Sequence, residues 1–206
     1  MESYTRLSEK LVHILMAKGI KDQTLLNAFR IIPRHIFVPS GLEHKAYNDT
    51  ALPIGGGQTI SAPSTVASML QALKLTVNDK VLEIGTGSGF QTALLSKIAG
   101  KVYSIERELN LAKIAKERLI KAGCGYIQLR SGDGMLGWSE HAPYDAIIVS
   151  AGTDTIPKNL IEQLKIGGRM VIPLKQKVSL LTRGKNGLRT RLLSKCQFVP
   201  LVPGHT

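Results

Sequence analysis

With 206 residues, 43% of them hydrophobic, the chain is long enough to fill one core of ordinary domain size, and a single domain over residues 1–206 is expected. Its two cysteines, Cys124 and Cys196, form no CxxC pair and are too few for a structural zinc site, which argues against a disulfide framework and fits two reduced thiols in a cytoplasm. A formal net charge of +12 suits either a nucleic-acid partner or the steering of acidic substrates, and does not choose between them.

In chain order, Leu7, Leu11, Ile14 and Leu15 recur at helical spacing, and a second short helix is expected from Asp22 to Arg30, where Leu25, Leu26 and Phe29 recur. Pro33, Pro39 and Gly41 then break the pattern. Tyr47 to Pro63, which includes Gly55-Gly56-Gly57, reads as a long irregular segment with little helix or strand of its own, and long ordered loops usually carry function. From Lys80 strand and helix alternate: strand at Val81 to Ile84, helix from Phe90, strand at Val102 to Ile105, helix from Leu109 to Ala122. Strands follow near Tyr126 to Leu129, Ala146 to Val149 and Met170 to Ile172, with a helix between Pro157 and Leu164 and final strand-like runs at Leu180 and Phe198.

This rhythm predicts an α/β fold, a doubly wound, mostly parallel seven-stranded sheet with an N-terminal helical extension. Residues 1–79 then supply helices and an active-site loop, and residues 80–206 a cofactor-binding core. Charged or turn residues interrupt every apolar run well short of the roughly 18 residues of a membrane span, and Met1-Glu2-Ser3-Tyr4-Thr5 begins no secretory leader. A cytoplasmic protein without membrane contact is expected. Lys175, Lys177, Arg183, Lys185, Arg189, Arg191 and Lys195 have no aromatic residues interleaved for base stacking, so this late cluster reads as a solvated basic face rather than a nucleic-acid site.

The sharpest local signal is Val81-Leu82-Glu83-Ile84-Gly85-Thr86-Gly87-Ser88-Gly89-Phe90, an apolar strand running into three alternating glycines and a helix. Glycine permits the tight turn and lets a ligand approach the backbone. The third glycine arrives one residue too early for the dinucleotide-binding GxGxxG, and GxGxG in this setting points to S-adenosyl-L-methionine. Glu83, Gly85, Gly87 and Gly89 are therefore candidate cofactor residues. About 20 residues on, Glu106 ends the second strand, where an acid accepts from ribose hydroxyls in doubly wound folds. Asp133, followed by Gly134 after the third strand, is placed to accept from an adenine amine.

The chain after Val149 reads Ser150-Ala151-Gly152-Thr153, not the Asn/Asp-Pro-Pro-Tyr/Phe of base-amine methyltransferases, and no His/Asp/Glu cluster suits a divalent metal. Pro33-Arg34-His35-Ile36-Phe37-Val38-Pro39, Ala46-Tyr47, Leu52-Pro53-Ile54-Gly55, Gly57-Gln58-Thr59-Ile60-Ser61-Ala62-Pro63, the glycine loop and Gly167-Gly168-Arg169 together resemble the protein-L-isoaspartate O-methyltransferases, over nearly the whole chain. The resemblance implies the Rossmann-like methyltransferase fold and transfer of a methyl group from S-adenosyl-L-methionine to the free carboxylate of L-isoaspartyl residues in damaged proteins and peptides. The ester then cyclises to a succinimide and allows repair. By match to the motif, Ser61 is the catalytic-site serine, and Thr59, Ile60 and Ser61 border the cofactor; a monomer without a nucleic-acid partner is expected.

Alternatives stay open on the residues alone. Ser61 also suits a cap for the helix that Pro63 begins. The same fold serves methyltransferases with RNA or a small acid as acceptor, and cofactor-binding regulators without turnover. Ser150 to Asp154 departs from the family's usual small-residue run with a proline, and the basic stretch from Pro173 to Phe198 reads as shorter than usual.

Overall fold

The computed structural model describes residues 3–195 and 197–204; Cys124 is a free thiol, and Cys196 lies outside the described residues. Helix α1 (Tyr4–Ala17) begins where the Ser3 side chain accepts from Arg6 N, and it buries Leu11, Val12 and Leu15. Ile14, expected in that stripe, is 40% exposed, because the buried face is centred on Leu11 and Leu15 and Val12 completes it. Helix α2 (Gln23–Ile31) is capped by Asp22, which accepts from Leu25 N at 3.0 Å, and it buries Leu25, Leu26 and Phe29 as the periodicity predicts. Pro33 ends this helical run, and a 3-10 turn follows at Arg34–Phe37.

The segment expected to be irregular contains a β-hairpin: β1 (Leu52–Gly55) pairs antiparallel with β2 (Gln58–Ile60). Gly56 and Gly57 join them with φ of 58° and 69°, the left-handed values a two-residue hairpin turn demands and glycine adopts at no steric cost. Helix α3 (Pro63–Leu73) follows, its proline in the first turn where a missing N–H breaks no helical bond.

Five parallel strands come next: β3 (Lys80–Ile84), β4 (Lys101–Glu106), β5 (Ile127–Ser131), β6 (Tyr144–Val149) and β7 (Leu164–Leu174). Then β8 (Lys177–Gly184) and β9 (Gly187–Lys195) fold back as an antiparallel meander, completing a seven-stranded sheet of order β5-β4-β3-β6-β7-β8-β9. This is the doubly wound, mostly parallel sheet expected, with one difference at its end. The last strand is β9, and the run at Phe198 is no strand; it crosses the sheet's carboxyl end and touches it through a bridge between Gly152 and Pro200.

Helices α4 (Phe90–Ile98) and α5 (Leu109–Lys121) join α3 on one face, where a continuous apolar layer runs from Leu11 and Phe29 through Leu70 and Leu94 to Val81, Ile148 and Val178. On the other face, Leu160 of α6 (Lys158–Gln163) packs with Tyr103, Tyr144 and Met170. Phe90 meets Phe29 and Phe37 edge-on with ring centroids 5.7 Å apart in each pair, which locks the start of α4 and the loop before it. Among the described residues no helix is long and apolar enough to cross a membrane. Because the chain leaves β3 toward β4 and β5 and returns on its other side as β6, a crevice opens above the carboxyl ends of β3 and β6, where open α/β sheets bind ligands.

Candidate active site

That crevice is a cleft, and its lining brings together Thr59, Ile60, Ser61, Gly85, Gly87, Glu106 and Gly134 of the residues expected there. A second, more open cleft adjoins it between α3 and the end of β9, and Thr59, Ser61, Ser150 and Val199 line both.

Glu106, 6% exposed at the tip of β4, fastens the glycine loop: Oε2 accepts from Gly87 N at 2.7 Å and Oε1 from Glu108 N at 3.1 Å. Each carboxylate oxygen can accept again, so Glu106 holds the loop and still offers acceptors to a diol. Ile84, Ile105 and Leu201 give the same cleft apolar walls suited to a flat ring, and Thr59, Ser61 and Ser150 bring hydroxyls to where the two clefts meet. The donor set fits S-adenosyl-L-methionine, which has a ribose diol, an adenine ring and a charged amino-acid portion.

Three expected residues stand elsewhere. Glu83 is fully buried beneath the loop and is not in the cleft, because strand alternation turns it with Val81 toward the helices. It accepts from Gln91 Nε2 at 2.9 Å, Thr92 Oγ1 at 2.5 Å and Ser104 Oγ at 2.6 Å. Burial pushes its pKa up to about 7 against the pull of those three bonds. Gln91 Nε2 also donates to Ser150 Oγ at 2.8 Å, so Glu83 acts on the cleft through its neighbours. Gly89 is the packing glycine: a Cβ there would lie 3.4 Å from Ala115 and Leu119 of α5, and it lines no part of the cleft. Asp133 accepts from Met135 N and Gly204 N at 2.8 Å each and does not line the cleft, which its neighbour Gly134 reaches.

The structure adds Ser150 and the tail from Val199 to Val202 to the lining. Gly152 N donates to Val199 O and Leu201 N to Gly152 O, both at 2.7 Å, so the loop after β6 anchors the tail beside the cleft. Ser150, first residue after β6, stands out in the sequence only as part of the loop that follows the strand, and its position at the switch point is what brings it to the cleft.

Ser61 does not cap α3. The N-cap residue is Ala62, and Asp49 serves the helix from a distance, its Oδ1 accepting from Ser64 N at 2.8 Å while its Oδ2 accepts from Lys18 at 2.6 Å. Burial would raise the Asp49 carboxyl, but the bonds from Lys18 and Ser64 outweigh it and hold the group below its ordinary pKa. The carbonyl of Ser61 accepts from Arg34 Nη2 at 2.8 Å, and among the described residues its hydroxyl has no hydrogen-bond partner. Arg34, 1% exposed, also donates from Nε to Ala46 O at 2.8 Å and lies 4.5 Å over the Phe90 ring. Burial lowers its pKa to about 9, and Nη1 has no hydrogen-bond partner among the described residues.

Comparison with known proteins agrees with this geometry. The model of the protein-L-isoaspartate(D-aspartate) O-methyltransferase family matches residues 6–206. Protein-L-isoaspartate O-methyltransferase 2 of Pelobacter propionicus is 48% identical over 194 residues, 91% of this chain and 86% of that protein. Protein-L-isoaspartate O-methyltransferase of Pseudoalteromonas translucida is 46% identical over 208 residues, 99% of this chain and 98% of that protein. A solved protein-L-isoaspartate O-methyltransferase superposes with a TM-score of 0.86 at 30% identity over 94% of this chain, which spans 65% of that longer structure. With matches along nearly its whole length, the chain belongs to the protein-L-isoaspartate(D-aspartate) O-methyltransferase family.

Proposed function

We propose that this chain transfers a methyl group from S-adenosyl-L-methionine to the free carboxylate of L-isoaspartyl residues in damaged proteins and peptides, the first step of their repair. The observation that carries this reading is Ser61, which lines both the cleft fitted to the cofactor and the open cleft beside α3, and whose hydroxyl has no hydrogen-bond partner among the described residues. When bound, S-adenosyl-L-methionine supplies an electrophilic methyl group on a positively charged sulfur. Glu106 and the Gly85 and Gly87 backbone would hold it, with Thr59 and Ile60 at its border.

An acceptor carboxylate has a pKa of about 4, so it is already a nucleophile at neutral pH and the protein has no proton to remove. The work left to the protein is alignment, which contributes up to about 7–11 kcal/mol to such reactions. Ser61 Oγ donates to one acceptor oxygen and fixes its direction. Arg34 in turn holds the Ser61 backbone, with Phe90 beneath the guanidinium. A methyl-transfer assay comparing an isoaspartyl peptide with its aspartyl twin tests the proposal: the isoaspartyl peptide is the far better acceptor, and equal methylation of both would refute it.

A further inference from the structure

From Leu164 to Thr206 the sequence contains nine lysines and arginines and no aspartate or glutamate. Three of these cations are used by the fold: Lys165 pairs with Asp145, Arg169 with Asp79, and Arg183 donates to the carbonyls of Ile161, Glu162 and Leu164. Arg189, Arg191 and Lys195 of β9 are exposed, and none has a carboxylate at ion-pair distance among the described residues.

Their placement is not random. Along β8, Val178, Leu180 and Thr182 share a face, and their partners on β9 are Ser194, Arg191 and Arg189. Val178 packs in the same layer as α3, and Ser194 and Lys195 line the open cleft that ends at Ser61. The two arginines therefore extend, on the cleft's own side of the sheet, a row running on the order of 15 Å outward from Ser194. Lys18, the other cation lining the cleft, is neutralised by Asp49. β9 is the outermost strand, so no further strand of the fold pairs with it beyond this row.

We infer that this face of β9 selects the acceptor by charge, favouring isoaspartyl sites flanked by acidic residues. The inference rests on the open cleft's being the acceptor's entrance. A chain seated at Ser61 places residues several positions from the isoaspartyl link beside Lys195, Arg191 and Arg189. Carboxylates there gain attraction that basic flanks lose. The absence of aromatic residues from Lys175 to Lys195 favours polypeptide over single-stranded nucleic acid as the polyanion read.

The experiment measures kcat/KM for isoaspartyl peptides that differ only in flanks of glutamate, glutamine or lysine, each beside its aspartyl twin, at about 10 mM and about 1 M salt. Exposed ion pairs contribute about 1.5- to 5-fold each, so at low salt the glutamate peptide should exceed the lysine peptide by on the order of tenfold, and the ratio should approach one at high salt. Reversing charge in the Arg189→Glu, Arg191→Glu double variant should collapse or invert the ratio. A matched double variant on exposed α5 positions, Lys113→Glu with Lys116→Glu, alters net charge equally beside β4 and β5, at the opposite end of the strand order from β9, and should leave the ratio in place. Equal rates for all flanks at low salt, or loss of the ranking in both double variants alike, would overturn the inference while leaving isoaspartyl discrimination intact. Binding of an RNA oligomer that depends on Arg189 and Arg191, with no ranking of the peptides, would overturn it in favour of a nucleic-acid surface. Loss of discrimination between isoaspartyl and aspartyl peptides would instead strike at the acceptor assignment.

Discussion

Replacing Glu83 with glutamine should change how stability depends on pH, in a direction that its burial fixes. In the unfolded chain this carboxyl ionises near 4.5, and in the fold it keeps its proton to about 7. Between those values the folded state holds a proton that the unfolded state has released, so stability contributed by this group falls as pH rises through the window. Taken from about pH 5 to about pH 8, the loss amounts to on the order of 2–3 kcal/mol. Glutamine preserves shape and cannot ionise; its oxygen keeps the bond from Gln91, and the hydroxyls of Thr92 and Ser104 can turn to accept from its amide. Urea unfolding of wild type and Glu83→Gln at both pH values isolates the effect, because titrating groups not coupled to Glu83 cancel in the difference. Near pH 5 the two should lie within about 1 kcal/mol of each other, and by pH 8 the comparison should have moved in the variant's favour by on the order of 2–3 kcal/mol. Parallel stability profiles would refute the reasoning and show that Glu83 titrates alike in both states.

Glu106→Ala should weaken S-adenosyl-L-methionine binding by about 1.5–3 kcal/mol, the usual cost of losing bonds to a charged group, and unchanged calorimetric affinity in a folded variant would remove Glu106 from the site. Gly87→Val forces a β-branched side chain to φ of 54° with its Cβ 3.5 Å from Ile54, so affinity should fall further still; normal folding and binding would make the loop merely structural. Ser61→Ala should lower kcat with cofactor affinity nearly unchanged and no new pH dependence between about pH 6 and 8, since the acceptor carboxylate is ionised throughout; full activity would dismiss the hydroxyl. Arg34→Met removes two donors of a charged group, from the buried carbonyl of Ala46 and the half-buried carbonyl of Ser61, and should cost on the order of 3 kcal/mol in urea unfolding while also lowering kcat. A stable Arg34→Met enzyme with wild-type kcat would show that Ser61 is positioned without it.

Patterns of burial made most of the sheet legible before any coordinates. The inner strands β3, β4 and β6 are mostly apolar runs covered on both faces, and the glycine loop, with Glu106 about 20 residues on, marks the end of the first strand and the tip of the second. What escaped is what burial does not stamp on a sequence. β9 carries Arg189-Thr190-Arg191 in a row between Leu188 and Leu192 at the sheet's edge, without the alternation of a half-buried strand, and reads only as part of a solvated basic face. The hairpin of β1 and β2 is too short for periodicity to register, although Gly56-Gly57 between two apolar stretches was a turn signal in plain view. Glu83 drew notice as an acid in a motif, and only its neighbours Thr92 and Ser104 reveal that it works from beneath. The tail's place beside the cleft depends on Gly152 pairing with Val199 and Leu201, a long-range contact that no local pattern announces.

The outermost position of β9 also bears on how copies of this protein behave in concentrated solution. A terminal strand carries unpaired amide and carbonyl groups that invite another chain to add itself, and Leu192, 55% exposed, would make such stacking attractive. Like charges brought face to face across such a junction repel, so Arg189, Arg191 and Lys195 oppose stacking of β9 on another copy. Charge reversal at these positions preserves that protection, whereas replacement by alanine or valine would leave an open seam along which the protein precipitates, most readily at high salt.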